Sequence, residues 1–203
     1  MKSGTKILLV VVGLLVVLGI AGCQFYSGTY NKMVALDEQV SGQWAQVQNV
    51  YQRRLDLIPN LVATVKGYAS HESQVFTQIA EARAKAGGVV QISAADLDDP
   101  AKMKQFQEAQ SSLGGALQRL LAVTENYPEL KANENFLALQ DQLEGTENRI
   151  TVERGRFNES VTSYNTFIRQ FPKNIIANMS GFRTKEKFSA DSAAQSAPAV
   201  SFE

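Results

Sequence analysis

The stretch VSGQWAQVQNVYQRRLDLI, Val40–Ile58, decides the fold class. Its apolar residues Val40, Trp44, Val47, Tyr51, Leu55 and Ile58 are spaced four, three, four, four and three apart. That spacing returns every side chain to one face of a 3.6-residue helix and is incompatible with the two-residue period of a strand. The stripe continues on the C-terminal side through Leu61, Val62, Val65 and Tyr68, and then Val75, Ile79 and Ala82. Pro59 interrupts it. A proline inside a helix removes one backbone hydrogen bond and costs about 3 kcal/mol, so the chain either kinks or breaks there. The unbroken phase across Pro59 points to a kink. Asp56 followed by Pro59 reads instead as the cap and first turn of a new helix.

Beyond this stretch the chain stays helical. Gly87-Gly88 is expected to end the second segment, as glycine does at helix C-termini. Val89–Pro100 reads as a loop, with Ser93, Asp96 and Asp98-Asp99-Pro100 as start signals for the next helix. A third segment carries Phe106, Leu113, Leu117, Leu120, Leu121 and Val123, and stops at Asn126-Tyr127-Pro128. A fourth is expected to start at Pro128 and run through Leu130, Phe136, Leu143, Ile150, Phe157, Val161, Tyr164 and Ile168 to Pro172. Lys173–Phe188 retains Ile175, Ile176, Met179 and Phe182 and should pack back on the other helices. The expected class is all-α, a four-helix up-and-down bundle preceded by an N-terminal membrane segment. Residues 1–26 form the anchor segment, 27–188 the helical domain, and 189–203, rich in Ala, Ser, Gln and Pro, a disordered tail.

The N-terminus gives the address. Lys2 and Lys6 precede a charge-free run from Ile7 to Gly22, which ends in Ile20-Ala21-Gly22-Cys23 with the chain's single cysteine. Two readings are open. A helix crosses the roughly 30 Å bilayer core with about 20 apolar residues, and Cys23 to Tyr26 would complete that span. A secretory signal has the same basic, apolar and small-residue order, and Ile-Ala-Gly-Cys looks like a bacterial lipobox, with Cys23 as the lipidated residue. Under either reading the chain is membrane-attached. The lysines before the segment place the domain on the extracytoplasmic side, in the periplasm or at the cell surface.

Composition narrows the function. Twenty basic and twenty acidic residues cancel, so no basic field for nucleic acid and no polybasic stretch for anionic lipid is evident. With one cysteine and one histidine, His71, thiolate metal sites and disulfides within the domain are excluded, as are most zinc and triad enzymes. No phosphate loop, dinucleotide turn or nucleophile elbow is present.

The polar cluster Arg53, Arg54, Asp56 and Asn60 is the candidate interaction edge, because two guanidiniums at a kink suit a carboxylate or phosphate. Its structural alternative makes Asp56 a cap, Asn60 a partner for backbone freed by Pro59, and the arginines ion pairs inside the fold. His71 reads as a helix-face residue, and Glu125, Glu129 and Glu134 as acids that favour helix starts rather than metal ligands. Asn133, Thr146, Thr162 and Asn165, at near-core positions, are expected to make hydrogen bonds that fix register.

Several ordered motifs resemble the LemA family. They are Tyr30-Asn31 with Leu36-Asp37-Glu38, then Trp44, then Gln52 through Val62, Thr64 through Ala69, His71-Glu72 and Glu81-Ala82-Arg83-Ala84. Leu121-Ala122-Val123, Glu125, Tyr127 through Lys131, Leu139-Gln140, Thr146-Glu147, Tyr164-Asn165, Phe171-Pro172 and Gly181-Phe182 continue the series. Glu153-Arg154-Gly155-Arg156 departs from the family's more usual pattern, and the lipobox adds to the plain membrane helix of many members. The resemblance implies a membrane-anchored up-and-down four-helix bundle and brings no established activity.

The expected function is therefore a non-enzymatic interaction module in the bacterial envelope, with no catalytic residues, no metal and no cofactor. Its expected partners are the membrane and envelope proteins rather than nucleic acid, and its oligomeric state is open. One alternative is a ligand-binding or enzymatic bundle with a polar site where the Pro59 and Pro128 breaks meet. A homo-oligomeric architectural protein is the other.

Overall fold

The computed structural model describes residues 3–189. Six α-helices and one 3-10 turn make up its regular structure, with no strand among the described residues. They are α1 (Ser3–Tyr68), α2 (Ser73–Val90), a 3-10 turn (Ala94–Asp98), α3 (Pro100–Thr124), α4 (Pro128–Lys131), α5 (Glu134–Arg169) and α6 (Lys173–Ser180).

The 66 residues of α1 form one uninterrupted helix, about 100 Å long at 1.5 Å per residue. From Leu8 to Ile20 its leucines, valines and isoleucine face outward. Thr29 and Met33 are the first buried residues, and from there the predicted stripe is the core: Val40, Trp44, Val47, Tyr51, Leu55, Ile58, Leu61 and Val65 are all buried. The step from the outward-facing apolar run to the core is thus a change in burial, not in backbone.

The chain then doubles back on α1. The Trp44 indole N–H donates to the Ile92 carbonyl (2.8 Å), which brings the end of α2 down beside α1. From there α3 climbs again, its Gln110 reaching Arg54. At the far end, the Asn133 amide donates to the Tyr68 hydroxyl (3.0 Å). Finally α5 descends along α1, with Glu147 beside Arg54 and Phe157 beside Trp44. This contact between α1 and α5 is the most extensive between any two elements, followed by that between α2 and α3.

Three helix boundaries differ from expectation. Asp56 does not cap a helix: it lies within α1, exposed, and accepts from Gln52 (2.8 Å). Pro59 neither breaks the chain nor relies on Asn60. The carbonyl that its missing N–H leaves free is that of Leu55, and the Arg83 guanidinium of α2 donates to that oxygen (3.1 Å). The Asn60 carbonyl accepts from the Thr64 hydroxyl one turn on (2.9 Å). The second correction concerns Gly87-Gly88, which stay inside α2. Gln48 and Trp44 hold the Val90 and Ile92 carbonyls, so the helix end is fixed two residues later. The third is at Pro128, which opens only the short α4. The long helix starts after a second break, where the Asn133 side chain accepts from the Phe136 N–H (3.0 Å).

The remaining start signals act as read. Ser93 and Asp96 form a reciprocal capping box, and Asp99 caps α3 with Pro100 at its first position. At the other end, 190–203, which includes nearly all of the expected tail, lies outside the described residues.

The Pro59–Arg83 contact yields a test. Arg83→Leu is expected to destabilise the domain by about 1 kcal/mol, the net worth of one hydrogen bond near the surface. In a Pro59→Ala background, where the backbone N–H restored by the substitution takes up the Leu55 carbonyl, the same change should cost much less. Urea unfolding of the four proteins of this double-mutant cycle measures the coupling. Equal costs in both backgrounds would remove Arg83 from this role.

Candidate functional site

Three levels along α1 carry polar chemistry. The first is the predicted edge around Pro59. The helix repeat splits its members. Arg53, Asp56 and Asn60 face outward on one exposed strip, while Arg54 points inward and is 3% exposed. The two guanidiniums therefore do not converge on one ligand. Arg54 donates to Glu147 Oε2 of α5 (3.0 Å) and to both the side chain and main-chain carbonyl of Gln110 in α3 (3.3 Å for the latter), and stacks over the Tyr51 ring at 5.1 Å. Its Nε and the Gln110 Nε2 have no hydrogen-bond partner among the described residues. The Glu147 carboxylate is largely solvated, which weakens the attraction. Around this cluster, burial pushes the Tyr51 hydroxyl above its usual range, against the smaller opposing pull of Arg154 and Arg54.

The second level is the aromatic cage. Trp44 packs against Phe106 (5.2 Å between centroids), Phe157 (5.3 Å) and Phe188 (6.1 Å). Phe188 comes from an extended strap, residues 183–189, which the spacing of apolar residues does not reveal. Two asparagines of α5, seven residues apart and so on one face, grip the strap's backbone. Asn165 donates to the Lys185 carbonyl (2.8 Å) and accepts from its N–H (2.9 Å), and Asn158 does the same at Phe188 (3.1 and 2.9 Å). The Glu186 N–H donates to the Leu97 carbonyl (2.8 Å), and Gln107 holds Ser189. Asn165 was expected to fix register and does so, though between a helix and the strap. Asn133 links α5 to α1, whereas Thr146 and Thr162 bond to their own helix. Asn158, Arg83 and Gln110 were missed. The seven-residue repeat of Asn158 and Asn165 was the available signal for the strap.

The third level lies near Asp37. A cavity of about 320 Å³ is lined by Asp37, Asp98, Tyr164, Phe182, Arg183 and Lys185 among others, and a second of about 480 Å³ by Ile168, Arg169, Asn174 and Asn178 among others. The charges of the first are already paired, Lys185 with Asp37 (2.8 Å) and Arg183 with Asp98 (3.5 Å). Burial, with the carboxylates of Asp37 and Asp98 adding to it, pushes the Tyr164 hydroxyl far above its ordinary value. Both cavities are remote from Pro59 and Pro128. Those two prolines also sit at different heights, since Tyr127 and Asn133 reach Glu72 and Tyr68 rather than Pro59.

His71 lies exposed in the turn between α1 and α2, not on a helix face. Glu125 pairs with Lys131 (2.6 Å), and Glu129 and Glu134 stand in first helical turns, where carboxylates suit the helix dipole. Among the described residues no three His, Cys, Asp or Glu side chains gather as a metal-holding group. Cys23 is exposed on α1.

The sequence model of the LemA family matches residues 43–202, from just before Trp44 to the C-terminal end. The chain belongs to the LemA family. The chain is 27% identical over 178 residues to magnetosome protein MamQ of Magnetospirillum gryphiswaldense, covering 78% of this chain and 64% of that one. The same figures hold for magnetosome protein MamQ 2 of Paramagnetospirillum magneticum. Protein LemA of Metamycoplasma hominis is 24% identical over 152 residues, covering 75% of this chain and 65% of its own length. The match thus spans a little under two thirds of each of these curated relatives. The aromatic cage, the Arg54 cluster and the asparagine clamps all fall inside the family match.

Proposed function

We propose that this LemA-family chain is a membrane-anchored, non-enzymatic interaction module of the bacterial envelope. In this reading α1, α2, α3 and α5 act as an up-and-down four-helix bundle whose outer faces meet envelope proteins. The observation that carries the proposal is the continuity of α1: one helix runs from an exposed apolar stretch, long enough to cross a bilayer, into the centre of the core. A bundle built on its own anchor helix is held at a fixed height and orientation, as a docking platform needs and as a freely tethered catalyst does not.

The anchor is either α1 itself or a lipid on Cys23 with the chain cut before it; both leave the helix from Cys23 into the core intact. The basic residues before the apolar run support an extracytoplasmic domain. The enclosure of Arg54 and the pairing of charges around the first cavity support scaffolding over catalysis, because the polar groups are turned toward the fold. The outer strip Arg53, Asp56 and Asn60 is the edge we assign to partner contact.

Cross-linking in intact cells tests this. The double charge reversal Arg53→Glu with Asp56→Lys is expected to remove specific cross-linked partners while leaving the helical content of the purified protein unchanged. If reversals on the outer faces leave every cross-linked partner in place, the interaction reading fails.

A further inference from the structure

The end of the domain nearest the apolar run of α1 carries an apolar surface of its own. In α6, Ile176 and Ala177 are buried against the domain, while the opposite face is turned outward. Phe171, in the turn before α6, is 81% exposed, and within the helix Ile175 and Met179, four residues apart, are 51% and 76% exposed. Side chains at that spacing line one helical face. Three large apolar residues this exposed, gathered at one end of the domain, are unusual on a surface that meets only water.

The position of this face identifies what covers it. The Ser180 hydroxyl at the end of α6 lies 3.4 Å from the Tyr26 hydroxyl of α1, and Phe182 packs edge-on against Tyr30 at 5.7 Å. Tyr26 is the residue after Phe25, where the outward-facing apolar run ends. From Phe25 to the first buried residue, Thr29, is about 6 Å of helix, comparable to the depth of one headgroup layer. The fold therefore holds α6 at the level where α1 leaves the hydrocarbon, and Tyr26, Tyr30 and Phe182 form the aromatic border common at that level.

Charge agrees with position. The segments 26–36 and 169–184 meet at this end and contain no acidic residue; their cations are Lys32, Arg169 and Lys173, together with Arg183, which is paired with Asp98. Scattered in sequence, these four do not form a basic run; the fold collects them. Long cationic side chains beside an apolar face can place their stems in the interface and their charges among phosphates.

We infer that α6 is an interfacial helix, which lays Phe171, Ile175 and Met179 into the headgroup–acyl boundary of the bilayer as a second membrane contact beside α1. The inference rests on the anchored reading above. It makes the domain a two-point attachment, fixing its rotation about α1 and so which outer faces are presented to partners.

Tryptophan scanning tests it, since Trp44 is the chain's single tryptophan and is buried about 27 Å along α1 from Tyr26. The full chain, isolated with its anchor, is reconstituted in phosphatidylcholine vesicles brominated at shallow acyl carbons. Ile175→Trp and Met179→Trp are expected to lose most of their added emission. Phe25→Trp, retained in either anchored form, should be quenched as well. Unaltered protein and Leu137→Trp, at the far end of the domain, should not. Quenching of Phe25→Trp with neither α6 variant quenched more than Leu137→Trp would overturn the interfacial helix and leave the anchor standing. If Phe25→Trp also escapes quenching, both readings fall.

Discussion

Trp44→Ala is expected to lower the stability of the domain by about 3–5 kcal/mol, the cost of emptying a fully enclosed large aromatic site. The side chain touches three rings from α3, α5 and the strap, and its indole N–H serves the Ile92 carbonyl. Losing it opens a cavity shared by four parts of the chain and leaves the Ile92 carbonyl with the Gln48 amide as its remaining side-chain donor. Whole domains have only about 5–15 kcal/mol to lose, so this change should bring unfolding close to growth temperatures. Urea unfolding followed by circular dichroism measures it. Trp44→Phe, which keeps a ring but not the N–H, should lie between. A loss under about 1 kcal/mol for Trp44→Ala would mean that this cage is not the centre of the fold.

Phe188→Ala should cost up to about 3 kcal/mol, and the ceiling has a physical origin. The strap is held at a few points, and once its detachment costs less than unfolding, the chain frays there instead of transmitting the loss. The amides of Lys185 and Phe188, gripped by Asn165 and Asn158, should therefore exchange with solvent much faster, while amides in the middle of α1 keep most of their protection. Asn158→Ala should speed exchange at the Phe188 amide in the same way without touching the ring. Uniform loss of protection across the whole domain in Phe188→Ala would show instead that strap and helices unfold as one unit.

Most of the fold could be read from local pattern, and each departure traces to a partner distant in sequence. The stripe from Val40 to Val65 predicts the buried face of α1, with Val62 only partly buried and Tyr68, its expected continuation, exposed. The Asp56–Pro59 start signal is real as local chemistry. It loses because Arg83, over twenty residues away, supplies the hydrogen bond that Pro59 cannot make. Gly87-Gly88 likewise carries a stop signal that Gln48 and Trp44 override from another helix.

The polar edge shows the same limit. Neighbouring arginines look like one site in sequence, but a turn of about 100° per residue sends Arg54 inward to Gln110 and Glu147 and leaves Arg53 outside. The strap was harder to see, because Arg183 to Ser189 has no periodicity and a single aromatic. The interfacial face of α6 was harder still. Ile175 and Met179 read as core residues until the fold shows Ile176 and Ala177 occupying the inward side.

Anchoring by the N-terminal end of an unbroken α1 is most directly tested by the intact mass of the protein extracted from native membranes. Recovery in the membrane fraction is expected, with a mass equal either to the whole 22.2 kDa chain or to a chain beginning at Cys23 with its lipid. Either value keeps α1 continuous from the bilayer into the core and confines the search for partners to the membrane surface. A soluble species cut between Phe25 and Val40 would contradict it, because the domain would then work detached from the membrane.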